Sequence, residues 1–554
     1  MSQEIETSEI DINLSDHRQE LADAIISAYP STAKLTTMIR DRFKKNPDIV
    51  AGGETLDVKV SNCIQWAISQ SKEKELLKAV YQGNPNDKDL KIIIKKLQPI
   101  LLETPLYDEQ ITKKWYQRIT LRHLGSTVLT SISLTTFIIA IRLLGVFENS
   151  ELFLFDQMMR HSPTEEQDKR LLIIKITPED IEHYAEANPP KNGASLSDEI
   201  IYKLVSTLLD KKPKIIGIDL YRYAKPEGKL AELLNEKKTD KRLVFICKFP
   251  DNISNKDGGR HNPPRDVPLE QVGLSDFISD SDGVIRRQLI QMGTPTTQDT
   301  ENSKCRNPKQ DGLMNSFSLQ VAQKYLNENM EFGFSIVKPF DNILKPLDIS
   351  KQGGYSLRDL NGFQILLNYR YAHEKDNPNS YSVSNIAPQF TVQQILKNGI
   401  NESFIKDKIV LIGTTAEGYD SSFLTPFSKA GPDQPIQGLF IQAQMVSQLV
   451  SAIEDNRPLI KVCSLELEIL WILFWSLIGA SLALLCKQPR KLIILGIICI
   501  GSLFIICILL FISPIKFWIS FYPSALAFLS TGIMIVLLEL RYQNKNQLDQ
   551  LTNY

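Results

Sequence analysis

ILWILFWSLIGASLALLC (Ile469–Cys486), LIILGIICIGSLFIICILLFISP (Leu492–Pro514) and FWISFYPSALAFLSTGIMIVLL (Phe517–Leu538) follow one another near the C-terminus, and none of them carries a charge. Each run is about 18 to 23 residues, which matches the roughly 20 residues a helix needs to cross ~30 Å of hydrocarbon. The separators are short: Lys487-Gln488-Pro489-Arg490-Lys491, then Ser513-Pro514-Ile515-Lys516. Three consecutive membrane helices are expected, over 467–486, 492–513 and 517–540. A fourth candidate lies far upstream, at 124–146. It is less apolar, with several Ser and Thr residues and Arg142 near its end. Hydroxyls can bond back to helix carbonyls, and an arginine near a helix end can snorkel.

Whole-chain averages hide these segments. The 554 residues are 43% apolar and 23% charged, and 63 Lys plus Arg against 64 Asp plus Glu leave a net charge of −1. Mean hydropathy is −0.14. Such values suit an ordinary globular protein. They exclude a mainly disordered chain and one held to nucleic acid by bulk positive charge. The length allows three or four domains.

Basic residues set the expected orientation. Lys113, Lys114, Arg118 and Arg122 precede the first span; Lys487, Arg490 and Lys491 lie between the second and third; Arg541 and Lys545 follow the fourth. Placing all three clusters in the cytoplasm gives one consistent topology: a multi-pass protein of the inner (plasma) membrane with both termini cytoplasmic, 147–464 outside and the tail 541–554 inside. Ser2–Asp16 is polar and acidic, unlike a cleavable signal peptide, so the first span serves as an uncleaved anchor. Of seven cysteines, only Cys247 and Cys305 fall in the outside domain. A disulfide between them is one reading. A buried strand thiol at Cys247 is the preferred one, because the residue sits in the apolar run Leu243–Phe249.

Residues 1–110 read as a cytoplasmic helical module. Leu14, Leu21, Ile25, Ile26 and Tyr29 recur at helical spacing, with Pro30 as a stop. Ser31 can cap a second helix carrying Leu35, Met38 and Ile39. Val60, Cys63, Ile64, Ala67 and Ile68 share a face of a third, and Gly83-Asn84-Pro85-Asn86 is a turn between two more. Five short helices predict one small bundle, with no catalytic constellation. The stretches LADAIISAYPSTAKLTTMIRDRF (Leu21–Phe43) and VSNCIQWAISQSKEKELLKAVYQGNPND (Val60–Asp87), with Trp66 and an Asn84-Pro85 ending followed by Leu90, resemble the effector-associated domain of type one. That resemblance implies a protein–protein adaptor that docks with like modules on separate effector proteins.

Between the first and second spans, strand and helix alternate. Leu171–Ile176, Lys214–Leu220 and Leu243–Phe249 are nearly continuous apolar runs, and Asp198–Leu209 and Glu227–Glu236 are amphipathic. This βαβαβ order predicts a mostly parallel α/β sheet with helices on both faces. Val284–Met292, Phe363–Tyr369 and Lys408–Gly413 supply further strands, and Leu439–Ile453 a long helix. Pro250–Asp282 and Gly293–Gly312 read as loop. Six ordered blocks then resemble the type-two CHASE domain: LFLFDQMMRHSPTEEQDKRLLIIKITPEDI (Leu152–Ile181), KPKIIGIDLYR (Lys212–Arg222), VGLSDFISDSDGVIRR (Val272–Arg287), NSFSLQVAQKYL (Asn315–Leu326), KDKIVLIGTTAEGYDSSFLTPF (Lys406–Phe427) and IQGLFIQAQMVSQLVSAIEDNRPLI (Ile436–Ile460). The resemblance implies extracytoplasmic sensing of an unidentified stimulus. Many members of that family continue into a cytoplasmic kinase or cyclase; here 14 residues follow Leu540, which shifts the expected output to the N-terminal module.

In an open α/β sheet, ligands gather beyond the carboxyl ends of the strands. Three such ends are polar: Thr177-Pro178-Glu179-Asp180, Asp219-Leu220-Tyr221-Arg222, and Thr414-Thr415 with Asp420. Asp219, Arg222, Thr414, Thr415 and Asp420 are therefore the candidate ligand-binding residues. Against this stands the plainer reading that Asp219 and Arg222 cap loops or pair with each other. Asp280-Ser281-Asp282-Gly283 fails the calcium-loop pattern, since position 1 would be Ile278 and position 12 Leu289; a turn entering a strand fits better. Arg286-Arg287 could face an acidic partner or anionic lipid, though a polar strand face with local ion pairs is the plainer choice. Asp156 is expected to cap or pair locally. No catalytic, metal-site or dinucleotide motif occurs, so neither enzymatic activity nor a cofactor or metal is expected.

Together these features predict a membrane-anchored sensor-adaptor that detects an extracytoplasmic ligand and recruits or regulates a cytoplasmic effector bearing a similar helical module. Its other partner is the membrane, with no nucleic acid, and homo-oligomerisation is left open. The alternative is a membrane-perturbing effector of a bacterial conflict or defence system, activated by clustering.

Overall fold

The computed structural model describes residues 17–43, 46–97, 121–186, 189–190, 194–221, 226–236, 241–248, 263, 267–293, 305, 313–326, 353–355, 362–374, 377–428, 434–486 and 488–552. The chain divides into two compact units, Met1–His123 and Leu124–Tyr554.

The first unit is helical: α1 (Arg18–Ala28), α2 (Thr32–Phe43), α3 (Pro47–Val50), α4 (Leu56–Ser69), α5 (Glu73–Gly83) and α6 (Lys88–Leu97). Leu21 and Ile25, Leu35 and Ile39, Val60 and Ile64, Leu76 and Val80, and Leu90 and Ile94 are each four residues apart on one helix face, and all are sealed in one core. Ser31 caps α2 by accepting from Lys34 N at 3.4 Å. The turn between α5 and α6 is tied down by Asn84 Nδ2, which donates to Ala28 O at 2.9 Å. The additional single turn α3 starts at Asn46, whose side chain accepts from Asp48 N, with Pro47 in the first turn.

The second unit opens with α7 (Leu121–Leu143) and α8 (Glu148–Arg160). Then come β1 (Leu171–Ile176), α9 (Pro178–Ala185), α10 (Asp198–Asp210), β2 (Ile215–Asp219), α11 (Gly228–Glu236), β3 (Leu243–Cys247) and β4 (Val272–Leu274). After them lie β5 (Arg287–Gly293), β6 (Leu313–Asn315), α12 (Phe317–Tyr325), β7 (Phe363–Leu366), β8 (Gln389–Thr391), β9 (Ile409–Thr414) and α13 (Gly438–Glu454). Six strands form one parallel sheet in the order β8-β1-β9-β2-β3-β4. Its four central strands, β1, β9, β2 and β3, are largely apolar because both faces are covered. Leu171, Ile173, Ile409 and Leu411 enter one core with α8, α12 and α13; Leu172, Ile174, Val410 and Ile412 enter the other with α10 and α11. The strands expected at Val284–Met292 and Phe363–Tyr369 do not join this sheet. As β5 and β7 they form a separate antiparallel sheet with β6.

Two expectations are corrected. The Pro250–Asp282 stretch read as loop contains β4, a three-residue edge strand too short to show a two-residue period. Cys247 is not a free thiol: it forms a disulfide with Cys305, Cα to Cα 5.8 Å. The apolar run decided burial but not bonding, because a disulfide sulfur is as readily buried as a thiol.

Four helices are long and apolar enough to span a membrane: Gly125–Leu143, Leu465–Leu485, Pro489–Ile512 and Tyr522–Lys545. The last three belong to α14 (Leu465–Leu485), α15 (Pro489–Ile512) and α16 (Tyr522–Thr552). The fourth span starts later than Phe517, because Phe517–Trp518 pairs as a short parallel strand with Lys461–Val462. In α7 the hydroxyls have two fates. Thr130 and Thr136 bond back to carbonyls four residues earlier. Thr127, Ser131, Thr135, Ile138 and Arg142 form one buried face. Ser476 of α14 reaches Ser131 O and lies 2.8 Å from Thr531 Oγ1 of α16. At that crossing Gly479 meets the Phe528 backbone, where any side chain would collide.

Replacing Cys247 or Cys305 with serine is expected to lower stability by about 2–5 kcal/mol. The check is thermal unfolding of the detergent-solubilised chain. An unchanged midpoint would mean that the bond carries no stability.

Candidate functional site

β2 and β9 run parallel, with Asp219 opposite Gly413 at their carboxyl ends. The segment after β9 brings Asp420 back to the start of α13, where a Cβ on Gly438 would lie 3.3 Å from Asp420 Oδ2. The result is a crevice of about 130 Å3 whose walls include Asp219, Tyr221, Ser275, Thr414 and Asp420. Of the residues singled out from sequence, Asp219, Thr414 and Asp420 therefore converge. Thr415 does not line the crevice; its hydroxyl lies 3.5 Å from Ile176 O, against β1. Arg222 lies outside the described residues. The third polar strand end is structural: Thr177 caps α9 in a capping box with Asp180, and Asp180 also accepts from Gln393 N at 2.9 Å.

The two carboxylates have different surroundings. Asp420 accepts from Ser421 N at 2.8 Å and from the backbone N–H groups of Gly438 and Leu439, at the positive end of α13. Burial nevertheless leaves it above the ordinary carboxylate range. Among the described residues Asp219 has no such donors, and burial and the facing Asp420 hold it well above that range. Burial and Asp219 also raise the Tyr221 hydroxyl, which lies 2.9 Å from Ser275 Oγ. Ser275 in turn donates to Cys247 O at 3.2 Å, beside the disulfide. Sequence reasoning missed Ser275 because β4 was hidden in apparent loop. Chemically, the crevice offers two carboxyl groups, the Tyr221 phenol and the Ser275 and Thr414 hydroxyls, which suits a small polar group.

A second polar assembly is sealed off. Arg286, 1% exposed, grips Asp156 of α8 with two bonds, Nε to Oδ1 at 2.7 Å and Nη2 to Oδ2 at 2.8 Å. It also reaches Asp280 and Asp282. Arg287 pairs with Asp280 and lies over the Tyr355 ring, whose hydroxyl donates to Asp280. Local ion pairing was the plainer expectation for Arg286-Arg287 and Asp156; a surface facing an outside partner is ruled out by this burial. Asp280 and Asp282 are occupied by arginine, and Gly283, at φ +80°, makes the turn. Among the described residues no cluster of three metal-ligating side chains occurs.

Substituting Asp219 with asparagine tests the strained carboxyl. A carboxyl held above its unfolded value leaves the fold unaffected when protonated and destabilises it once the pH passes through the ordinary carboxylate range. Asp219→Asn should match the parent chain near pH 4 and be more stable at pH 8. Parallel stability–pH curves for the two chains would show that no such strain exists.

The family model described as CHASE2 domain matches residues 133–481, more than half of the chain. The model described as Effector-associated domain 1 matches residues 12–98, the helical first unit. No curated protein and no solved structure matches the chain.

Proposed function

The chain belongs to the CHASE2 domain family, and from that premise we propose that it is a membrane-anchored sensor-adaptor whose α/β domain faces outward and whose N-terminal unit recruits or regulates a cytoplasmic effector. Its coarse outline is that of a signalling membrane protein, with a sensory domain, an effector-associated domain and four apolar helices in one chain. The finer reading is that stimulus binding in the crevice at Asp219 and Asp420 shifts the spans and changes the availability of the helical unit. The output is a binding event, through contact with a like module on a separate protein, and not a reaction.

The observation that carries this reading is the buried pair Arg142–Glu468, at 2.7 Å, with side chains 4% and 2% exposed. Arg142 ends the first span, and Glu468 begins the second. Arg142 also donates to Gly353 O, and Gly353 packs against Trp518, beside the core of the α/β domain. A displacement in that domain therefore reaches two spans through one guanidinium. Coupling still requires a ligand that prefers one of two states. The disulfide supports the outward orientation, since such bonds persist in oxidising compartments.

Three experiments test the proposal. The N-terminal unit has its own core, so residues 1–110 are expected to fold alone and to capture a protein carrying a similar helical module; a pull-down that recovers none counts against effector recruitment. Protease added to intact spheroplasts should cleave 148–464 and spare the N-terminal unit, and the reverse pattern would invert the topology. Arg142→Ala leaves Glu468 buried without its partner, and a loss of about 3–5 kcal/mol is expected. Arg142→Lys, which keeps the charge but not the reach to Gly353 O, should recover part of that stability, as measured by thermal unfolding.

A further inference from the structure

The third span is loosely held at one end. Of the residues of α15, only Leu503, Cys507 and Phe511 are buried, and all three lie in its second half. There it meets α8, with Phe511 edge-on to Phe155 at 5.3 Å. No residue of its first half is buried. Between α14, α15 and α16 lies a crevice of about 410 Å3, lined by Gly479, Leu482, Gly496, Ile500, Gly532 and Val536 among other apolar residues. Gly479 and Gly532 let α14 and α16 pack closely along one wall, while Gly496 of α15 faces open space. At Gly496 a Cβ would meet nothing within 4 Å.

Such a space cannot stay empty inside a bilayer, because its walls would forfeit dispersion contacts. Nor does it suit water, since its walls are apolar. A single acyl chain is narrow enough. Charge marks one mouth of the crevice. Lys491 and Arg490 immediately precede the lining residue Leu492, and Arg541 follows the lining residue Leu537 by one helical turn. All three are exposed, with no ion-pair partner among the described residues.

We propose that this crevice is a specific site for an anionic phospholipid, one acyl chain lying between α14, α15 and α16 and the headgroup held by Arg490, Lys491 and Arg541. Cations near a bilayer surface attract anionic headgroups, and the crevice converts that diffuse attraction into a seat of defined depth. The site does not depend on which leaflet is cytoplasmic, because the same end of the helices carries both the cavity mouth and the charge.

The test uses the full chain reconstituted in phosphatidylcholine vesicles containing trace spin-labelled phosphatidylglycerol or spin-labelled phosphatidylcholine, with the motionally restricted fraction as readout. The parent chain should prefer phosphatidylglycerol by about five-fold or more, the attraction of at least one surface cation. Arg490→Gln with Lys491→Gln should lower that preference several-fold, and adding Arg541→Gln should bring the two lipids near parity. Gly496→Phe should fill the crevice and remove the tightly held lipid with the cations intact. Retention of the Cys247–Cys305 disulfide and of the parent's helical circular dichroism shows that each variant is folded; the glutamine pair is a surface change that keeps the test decisive if the phenylalanine variant fails that control. Equal restriction of both lipids by the parent chain overturns the proposal. So does an anionic preference that survives Gly496→Phe, which would mark ordinary surface attraction, or a change of oligomeric state in that variant, which would put a second copy in the crevice.

Discussion

Helix α8 is shared by two environments, and one interaction fixes it: the two-bond grip of Arg286 on Asp156. A guanidinium and a carboxylate removed from water are destabilising unless every donor and acceptor is met. Here Asp280, Asp282 and Tyr355 complete the set. Burial raises the Asp156 carboxyl by more than Arg286 lowers it, so the pair depends on its geometry. With Asp156 fixed, Leu152, Phe155, Met158 and Met159 take their places in the core under the sheet.

The same helix holds the spans. Glu151 accepts from Tyr522 N, at the start of α16, at 2.7 Å, and burial pushes its carboxyl up to about 8. Phe155 packs on Phe511 of α15 and on Trp518. Arg142, at the end of α7 and six residues before α8, holds Glu468 of α14. One short helix after the first span thus touches the base of every other span, directly or through its neighbour. The sensory domain and the spans share one compact unit for this reason.

Much of this was legible in residues. Leu171–Ile176 and Lys408–Gly413 are apolar at every position except their lysines and glycine, and only a sheet covered on both faces needs that. The spans were read from length and charge alone. The candidate site was half legible: Asp219, Thr414 and Asp420 converge because the polar ends of parallel strands lie at one edge, whereas Thr415 turns to β1 and Thr177–Asp180 is spent on a cap. Ser275 was invisible, since β4 has three residues and no period.

Local pattern alone determined the longer buried strands, the helices of membrane-spanning length and the helical module, because period, length and charge are properties of neighbours in sequence. Partnership was decided only by the tertiary structure. Cys247 finds Cys305 across a separation of 58 residues, Arg142 finds Glu468 across 326, and Arg286 finds Asp156 across 130. Each of these side chains has several partners of suitable chemistry in the sequence. Only the folded path of the chain selects one, because a buried charge or thiol is stabilised by the group within about 3 Å of it and by nothing farther away.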